Sequence, residues 1–211
     1  MQIAPGVYSM RQAKGFDVHA FLLDDGDGLS LIDTLFDADA QVVLNELQAM
    51  GKTIRDLKRI VLTHAHRSHL GGLAELKRQS GAQVYAHEWE ADIIAGDRPA
   101  QAVSWRPQDP LVTYHFQVGN NLNISHHPPC QVDQFLYGGE QFGPVQVLHT
   151  PGHTPEHIAL LVTDRTRAAE PWFVLTGHTL MVGDLGRTEL ASSAEDGARS
   201  LFSSARRLKE L

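Results

Sequence analysis

The segment His64-Ala65-His66-Arg67-Ser68-His69 carries three histidines in six positions, and Gly71-Gly72 follows directly. Neutral imidazole is the commonest metal ligand among side chains, and His-x-His beside a third His has the spacing of a metal site. The bland alternative is a polar turn rich in His, and twelve His in 211 residues lend it weight. Three at one strand end favour the metal. Further histidines stand in Pro151-Gly152-His153-Thr154-Pro155-Glu156-His157 and in Thr176-Gly177-His178-Thr179-Leu180. A metal ion held by imidazoles can activate water for attack on a carbonyl.

Such ligands need a rigid platform. Residues 59–63 are apolar and β-branched and read as a short buried strand. Leu73–Ser80 reads as a helix closed by Gly81, so the three histidines sit on a strand-to-helix turn. Earlier strands are expected over 6–10, 16–23 and 29–33, the last two joined as a hairpin through Gly26-Asp27-Gly28. Asp37 is placed to cap a helix over 38–50, ended by Gly51. A strand over 83–86 and a short helix over 88–95 ending at Gly96 follow. Residues 97–129 are broken by Pro99, Pro107, Pro110, Pro128 and Pro129 and read as an irregular insertion or lid. Strands are expected over 145–150, 158–163 and 172–176. A helix over 193–211 has Leu201, Phe202, Ala205 and Leu208 on one face. Strands broken by helices in both halves suggest an α/β sandwich, a single domain over 1–211.

Composition narrows the function. The net charge of −7 and the lack of a basic run argue against a nucleic-acid partner. One cysteine, Cys130, excludes an internal disulfide and a thiolate-rich zinc site. The first ten residues lack a signal-peptide pattern, and no apolar run is long enough to span a membrane. A cytoplasmic protein with a small-molecule substrate, and with neither nucleic acid nor membrane as partner, is expected.

The histidine turn, the Pro-Gly-His-Thr segment and the Thr-Gly-His-Thr-Leu turn, in that order, resemble the metallo-β-lactamase superfamily. That resemblance implies a four-layer αββα sandwich with the metal site at one edge. The run Val182-Gly183-Asp184-Leu185-Gly186-Arg187-Thr188-Glu189-Leu190 is similar to the glyoxalase II and persulfide dioxygenase branch. The stretch 128–133 before Gly138-Gly139 is similar to lactonase-like and thioesterase-like hydrolases of the same fold. No basic cluster suited to glutathione stands out.

The chain departs from the family pattern at three places. In His-x-His-x-Asp-His the aspartate position is Ser68, and the metal-bridging aspartate position is His178. The family's last metal histidine lies beyond the final helix, so the sequence either stops short of it at Leu211 or lacks it. Carried over, the first metal position keeps His64, His66 and His153, three histidines with a fourth place open, as in catalytic zinc sites. The second keeps His69, with His178 as a replacement ligand. Two divalent ions about 4 Å apart repel by roughly 17 kcal/mol at an effective dielectric of ~20, and carboxylates normally offset this. One zinc ion is therefore expected. A pair would need an anionic ligand such as Asp33 or Asp184.

The activity implied is hydrolysis of a small ester, thioester or lactone by a metal-bound hydroxide, with His178 protonating the leaving group and Ser68 orienting the water. An alternative is an iron oxidoreductase of the persulfide dioxygenase kind, holding iron with His64, His153 and His178. A third is a non-catalytic relative. Among other residues, Asp33 reads as an acceptor orienting a metal-binding His or as a strand-end cap. His157 reads as a surface or supporting histidine, His19 as a core one and His87 as a cap-region one. His115, His126 and His127 read as solvated loop residues, and Cys130 as a small loop residue.

Overall fold

The computed structural model describes residues 1–96, 103–106, 109–114, 127–164, 167–188 and 193–211. Two compact units divide it. The first holds 1–86, 90–96 and 127–135; the second holds 87–89, the two segments at 103–106 and 109–114, and the described residues from 136 to 211.

In chain order the elements begin with β1 (Gln2–Ala4), β2 (Val7–Ala13), β3 (Asp17–Asp24), β4 (Leu29–Ile32) and α1 (Gln41–Ala49). Next come β5 (Leu57–Val61), α2 (Arg67–Leu70), α3 (Leu73–Ser80), β6 (Gln83–His87) and α4 (Ala91–Ala95). They continue with β7 (Val103–Arg106), β8 (Asp109–Tyr114), β9 (Gln134–Leu136), β10 (Gln141–Phe142) and β11 (Val145–His149). The last are β12 (Ile158–Val162), β13 (Phe173–Leu175) and α5 (Ala194–Lys209).

The first unit is built on a seven-stranded sheet of order β1-β2-β3-β4-β5-β6-β9. β2, β3 and β4 form an antiparallel meander, with the expected turn at Gly26-Asp27-Gly28, and β4, β5 and β6 run parallel. All four residues of β4 are buried, as are Ile60 and Val61 of β5. Continuous apolar runs suit parallel strands covered on both faces. The adjacent ends of β4 and β5 thus deliver Asp33 and Thr63-His64 side by side. α3 spans the expected residues and closes on Gly81, whose φ of +73° is the left-handed cap glycine adopts without strain.

In α1 the structure differs from the expectation. Asp37 does not cap it, because its carboxylate accepts hydrogen bonds from Gln12 and Lys14 on the end of β2 and beyond. The helix starts later, with Asp39 accepting from the Gln41 amide at 3.1 Å.

In the second unit β10, β11, β12 and β13 form an antiparallel sheet, and every residue of β12 is buried. β7 and β8 pair as a hairpin. Most of the insertion expected at 97–129 lies outside the described residues. α5 is capped by Ser193, whose hydroxyl accepts from the Asp196 amide at 3.1 Å. It buries Gly197, Leu201, Ser204 and Leu208, a stripe of helical period. Phe202, expected on that face, lies one position off it and is 69% exposed. The Ser204 hydroxyl donates to the Pro151 carbonyl at 2.7 Å. A Cβ on Gly152 would lie 2.3 Å from the Leu201 nitrogen, so only glycine lets α5 approach the Pro-Gly-His turn this closely.

Gly71 is a second obligatory glycine. A Cβ there would lie 2.1 Å from the Phe36 carbonyl carbon and oxygen. Gly71→Ala is expected to destabilise the protein by ~3 kcal/mol, because the obstacle is backbone that cannot rotate away. Gly81→Ala meets nothing within 4 Å and should cost only the left-handed penalty, about 1 kcal/mol. Urea unfolding of both variants would show the difference; equal losses would contradict the packing account.

Candidate metal centre

In the first unit the site begins with Asp33, which is 4% exposed and has φ +61°. Its Oδ1 accepts the Thr63 amide at 2.8 Å. Its Oδ2 accepts the Thr63 hydroxyl at 2.8 Å and faces His69 Nδ1 at 2.8 Å. A carboxylate only accepts, so His69 carries its proton on Nδ1 and turns the Nε2 lone pair outward. The Thr63 oxygen, its own proton given to Asp33, stands 3.0 Å from His64 Nδ1 and accepts from it. One buried charge thus sets the tautomer of two imidazoles, leaving Nε2 of both as donor atoms for a cation.

The turn is drawn tight around these rings. The Thr34 amide and hydroxyl both donate to the His69 carbonyl, at 2.8 and 2.7 Å, and the His69 amide donates to the His66 carbonyl at 2.8 Å. His64 and His66 have ring centroids 4.6 Å apart, and His64 and His69 have theirs 4.3 Å apart. All three are buried, as is Ser68 on α2. Asp33 is therefore both a strand-end acceptor, through the Thr63 amide, and an acceptor that orients a histidine, through His69. Asp184 is exposed, and its Oδ1 accepts its neighbour's amide, from Leu185, at 2.8 Å.

In the second unit His153 Nδ1 donates to the Arg187 carbonyl at 2.8 Å, which turns its Nε2 into an acceptor. His178 Nδ1 stands 3.0 Å from that Nε2. Gly186 closes the loop between them: a Cβ there would lie 2.2 Å from the His178 carbonyl oxygen and 3.0 Å from His153 Cβ. His157 is fully buried, and its Nε2 accepts the His178 amide at 3.0 Å. Each unit therefore carries clustered histidines, and oxygen partners set the ring tautomers of His64, His69 and His153. The chain's histidines include a group, His64, His66, His153 and His178, that could hold a metal.

The remaining histidines divide differently from the expectation. His19 is exposed on β3, with Ser9 3.0 Å from its Nδ1, rather than in the core. His127 is buried, its Nε2 donating to the Ile94 carbonyl at 2.9 Å. His115 and His126 lie outside the described residues. Cys130 is buried, which pushes its thiol pKa up and away from reactivity. His87 ends β6 in a buried cluster with Trp89 and His149, at ring-centroid distances of 4.8 and 5.1 Å. Its Nδ1 accepts the Trp89 amide at 3.2 Å. Burial, then the neighbouring His149, hold its pKa down to about 3.

Imidazole clusters on strand-to-helix and strand-to-strand turns of an α/β chain are suited to holding a metal. Residues 13–211 match the metallo-β-lactamase superfamily, and the chain belongs to it. It is 28% identical over 172 residues to YobT of Bacillus subtilis, covering 81% of this chain and 68% of that one. It is 32% identical over 149 residues to the hydroxyacylglutathione hydrolase of Shewanella oneidensis, covering 71% of this chain and 43% of the enzyme. Across eight of the curated relatives it matches, the chain spans between 42% and 69% of their length. The class B3 di-zinc metallo-β-lactamase LRA-12 from an Alaskan soil metagenome has the same fold. Its TM-score is 0.71 at 24% identity, over all of this chain and 74% of that one. This is the fold expected from the motifs. No helix among the described residues is long and apolar enough to cross a membrane.

The depressed His87 pKa makes a separate prediction. The unfolded imidazole takes up its proton near pH 6.5, whereas the folded one resists until about 3. The contribution is fully present above ~6.5 and is lost as the pH falls towards the folded value, at up to about 1.4 kcal/mol per pH unit. His87→Gln should flatten the acid limb of stability against pH between ~6 and ~4. An unchanged slope, read by urea unfolding at each pH, would contradict this.

Proposed function

We propose that this chain is a metal-dependent hydrolase of a small ester, thioester or lactone, with one zinc ion held by His64, His66 and His153. The observation that carries this reading is the orientation of the histidines by oxygen acceptors: His69 by Asp33, His64 by Thr63, and His153 by the Arg187 carbonyl. Nε2 atoms turned outward in this way suit zinc; His64 and His153 are two such ligands, and with His66 as the third a fourth place stays open. Membership of a superfamily whose relatives of this chain include a hydroxyacylglutathione hydrolase supports hydrolysis as the reaction.

When bound, zinc would supply a polarised carbonyl and a nucleophilic water near neutral pH. The chain's own groups would do the rest. His178, whose Nδ1 stands 3.0 Å from His153 Nε2 in the metal-free protein, would be released from that contact once His153 Nε2 holds the metal and, as an imidazolium, would pass a proton to the departing oxygen or sulfur. Ser68, buried on α2, would orient the attacking water as a hydroxyl. It is no base, so no carboxylate takes the water's proton at this position. His69 would stand as the supporting imidazole held by Asp33.

Two sets of variants test the assignment. His64→Ala and His153→Ala should each lose the metal and, with it, turnover of a panel of thioesters, esters and lactones. His178→Gln should keep the metal and lower kcat by ~10²–10⁴. Full metal retention in both alanine variants would defeat the ligand set, and iron-dependent oxygen uptake with a persulfide would replace the hydrolase reading. Ser68→Asp with His178→Asp should raise the metal content towards two ions per chain. An unchanged content would show that lost carboxylates are not what limits the site.

A further inference from the structure

We infer that His157 is a positioning residue, which fixes the backbone of the turn carrying His178 and so sets where the His178 ring stands. It rests on the reading of His178 as the proton-bearing group of the proposed site. The geometry on which it stands, however, lies wholly within the second unit.

Donors and acceptors around His157 balance in one way only. The His178 amide is a donor, and it lies 3.0 Å from His157 Nε2, so that nitrogen must present its lone pair. The ring proton is then on Nδ1. There it meets two hydroxyl oxygens, Thr150 Oγ1 at 2.9 Å and Thr179 Oγ1 at 3.2 Å. Both hydroxyls have carbonyls for their own protons: Thr179 donates to the Thr150 carbonyl at 3.4 Å, and Thr150 faces the His157 carbonyl at 3.5 Å. Both oxygens are therefore left to accept from His157. The Thr150 amide also donates to the His157 carbonyl, at 2.8 Å.

His157, Thr150 and Thr179 are all fully buried. A buried imidazole spending one nitrogen on a backbone amide and the other on two threonines is a fixed post. The amide it holds belongs to the residue that replaces the family's bridging aspartate. The His178 ring turns on two side-chain torsions from its Cα, so its backbone must be held for Nδ1 to stay 3.0 Å from His153. Gly186, with no Cβ to press on the His178 carbonyl, leaves that backbone position open from the other side.

The test begins with the metal-free protein. Ring ¹⁵N spectra of His157 should show the Nδ1–H tautomer, with an unprotonated Nε2 that accepts a hydrogen bond. The Nε2–H tautomer would overturn the inference. Hydrogen exchange of the His178 amide should accelerate at least tenfold in His157→Phe, which keeps the ring volume and removes the acceptor. His157→Gln, whose side-chain carbonyl can accept the same amide, should restore slow exchange. Equal exchange in wild type and a folded His157→Phe would also overturn the inference; should His157→Phe fail to fold, the wild-type tautomer and the Gln variant decide alone. On any acyl substrate the enzyme turns over, His157→Phe should lower kcat with KM held, and His157→Gln should recover it. Absence of turnover would count against the hydrolase reading and leave the tautomer and exchange results to judge His157.

Discussion

A single buried carboxylate, Asp33, organises the histidine cluster of the first unit. A charge at this depth costs several kcal/mol unless it is compensated, so the surrounding chain must supply donors. It receives the Thr63 amide, the Thr63 hydroxyl and the His69 ring. These partners come from the end of β5 and from α2, while Asp33 itself closes β4. The strand ends and the helix are therefore locked together by one group. Parallel pairing of β4 and β5 places the donors, and Gly71 and Gly72 let the helix start against the chain at 34–40. The orientation of His64 and His69 follows from the same charge rather than from their own packing.

In the second unit the histidines meet carbonyls, hydroxyls, a backbone amide and another imidazole. The Arg187 carbonyl faces His153, the Thr150 hydroxyl and the His178 amide face His157, and His178 faces His153. The chain also has Ser68 where the family pattern has aspartate. A site poor in carboxylates leaves a bound cation with more of its charge, which favours one ion over two and makes its bound water more acidic.

Much of the fold was legible in the sequence because it rests on local pattern. The β-branched run ending at Leu62, the α3 helix closed by Gly81 and the hairpin at Gly26-Asp27-Gly28 all depend on neighbours in the chain. The start of α1 was not legible. Asp37 is a good cap by type, but Gln12 and Lys14, more than twenty residues away, take its carboxylate. His127 looked like a loop residue and is buried against the Ile94 carbonyl, a contact the sequence does not announce. Phe202 was misread because apolar type alone does not fix the phase of a helical stripe. The histidine motifs named the candidate ligands, but not what orients them. Asp33 could be suspected from its place after a strand. The role of His157 could not, since it depends on Thr150, Thr179 and the His178 amide meeting across two turns.

The proposed function requires one zinc ion per chain. Elemental analysis of the untagged protein as purified, for zinc, iron, manganese and nickel, tests it most directly. About one zinc per chain is the expected result for a three-histidine site with an open place. Two zinc ions per chain, iron in that amount, or no metal even after reconstitution would contradict it.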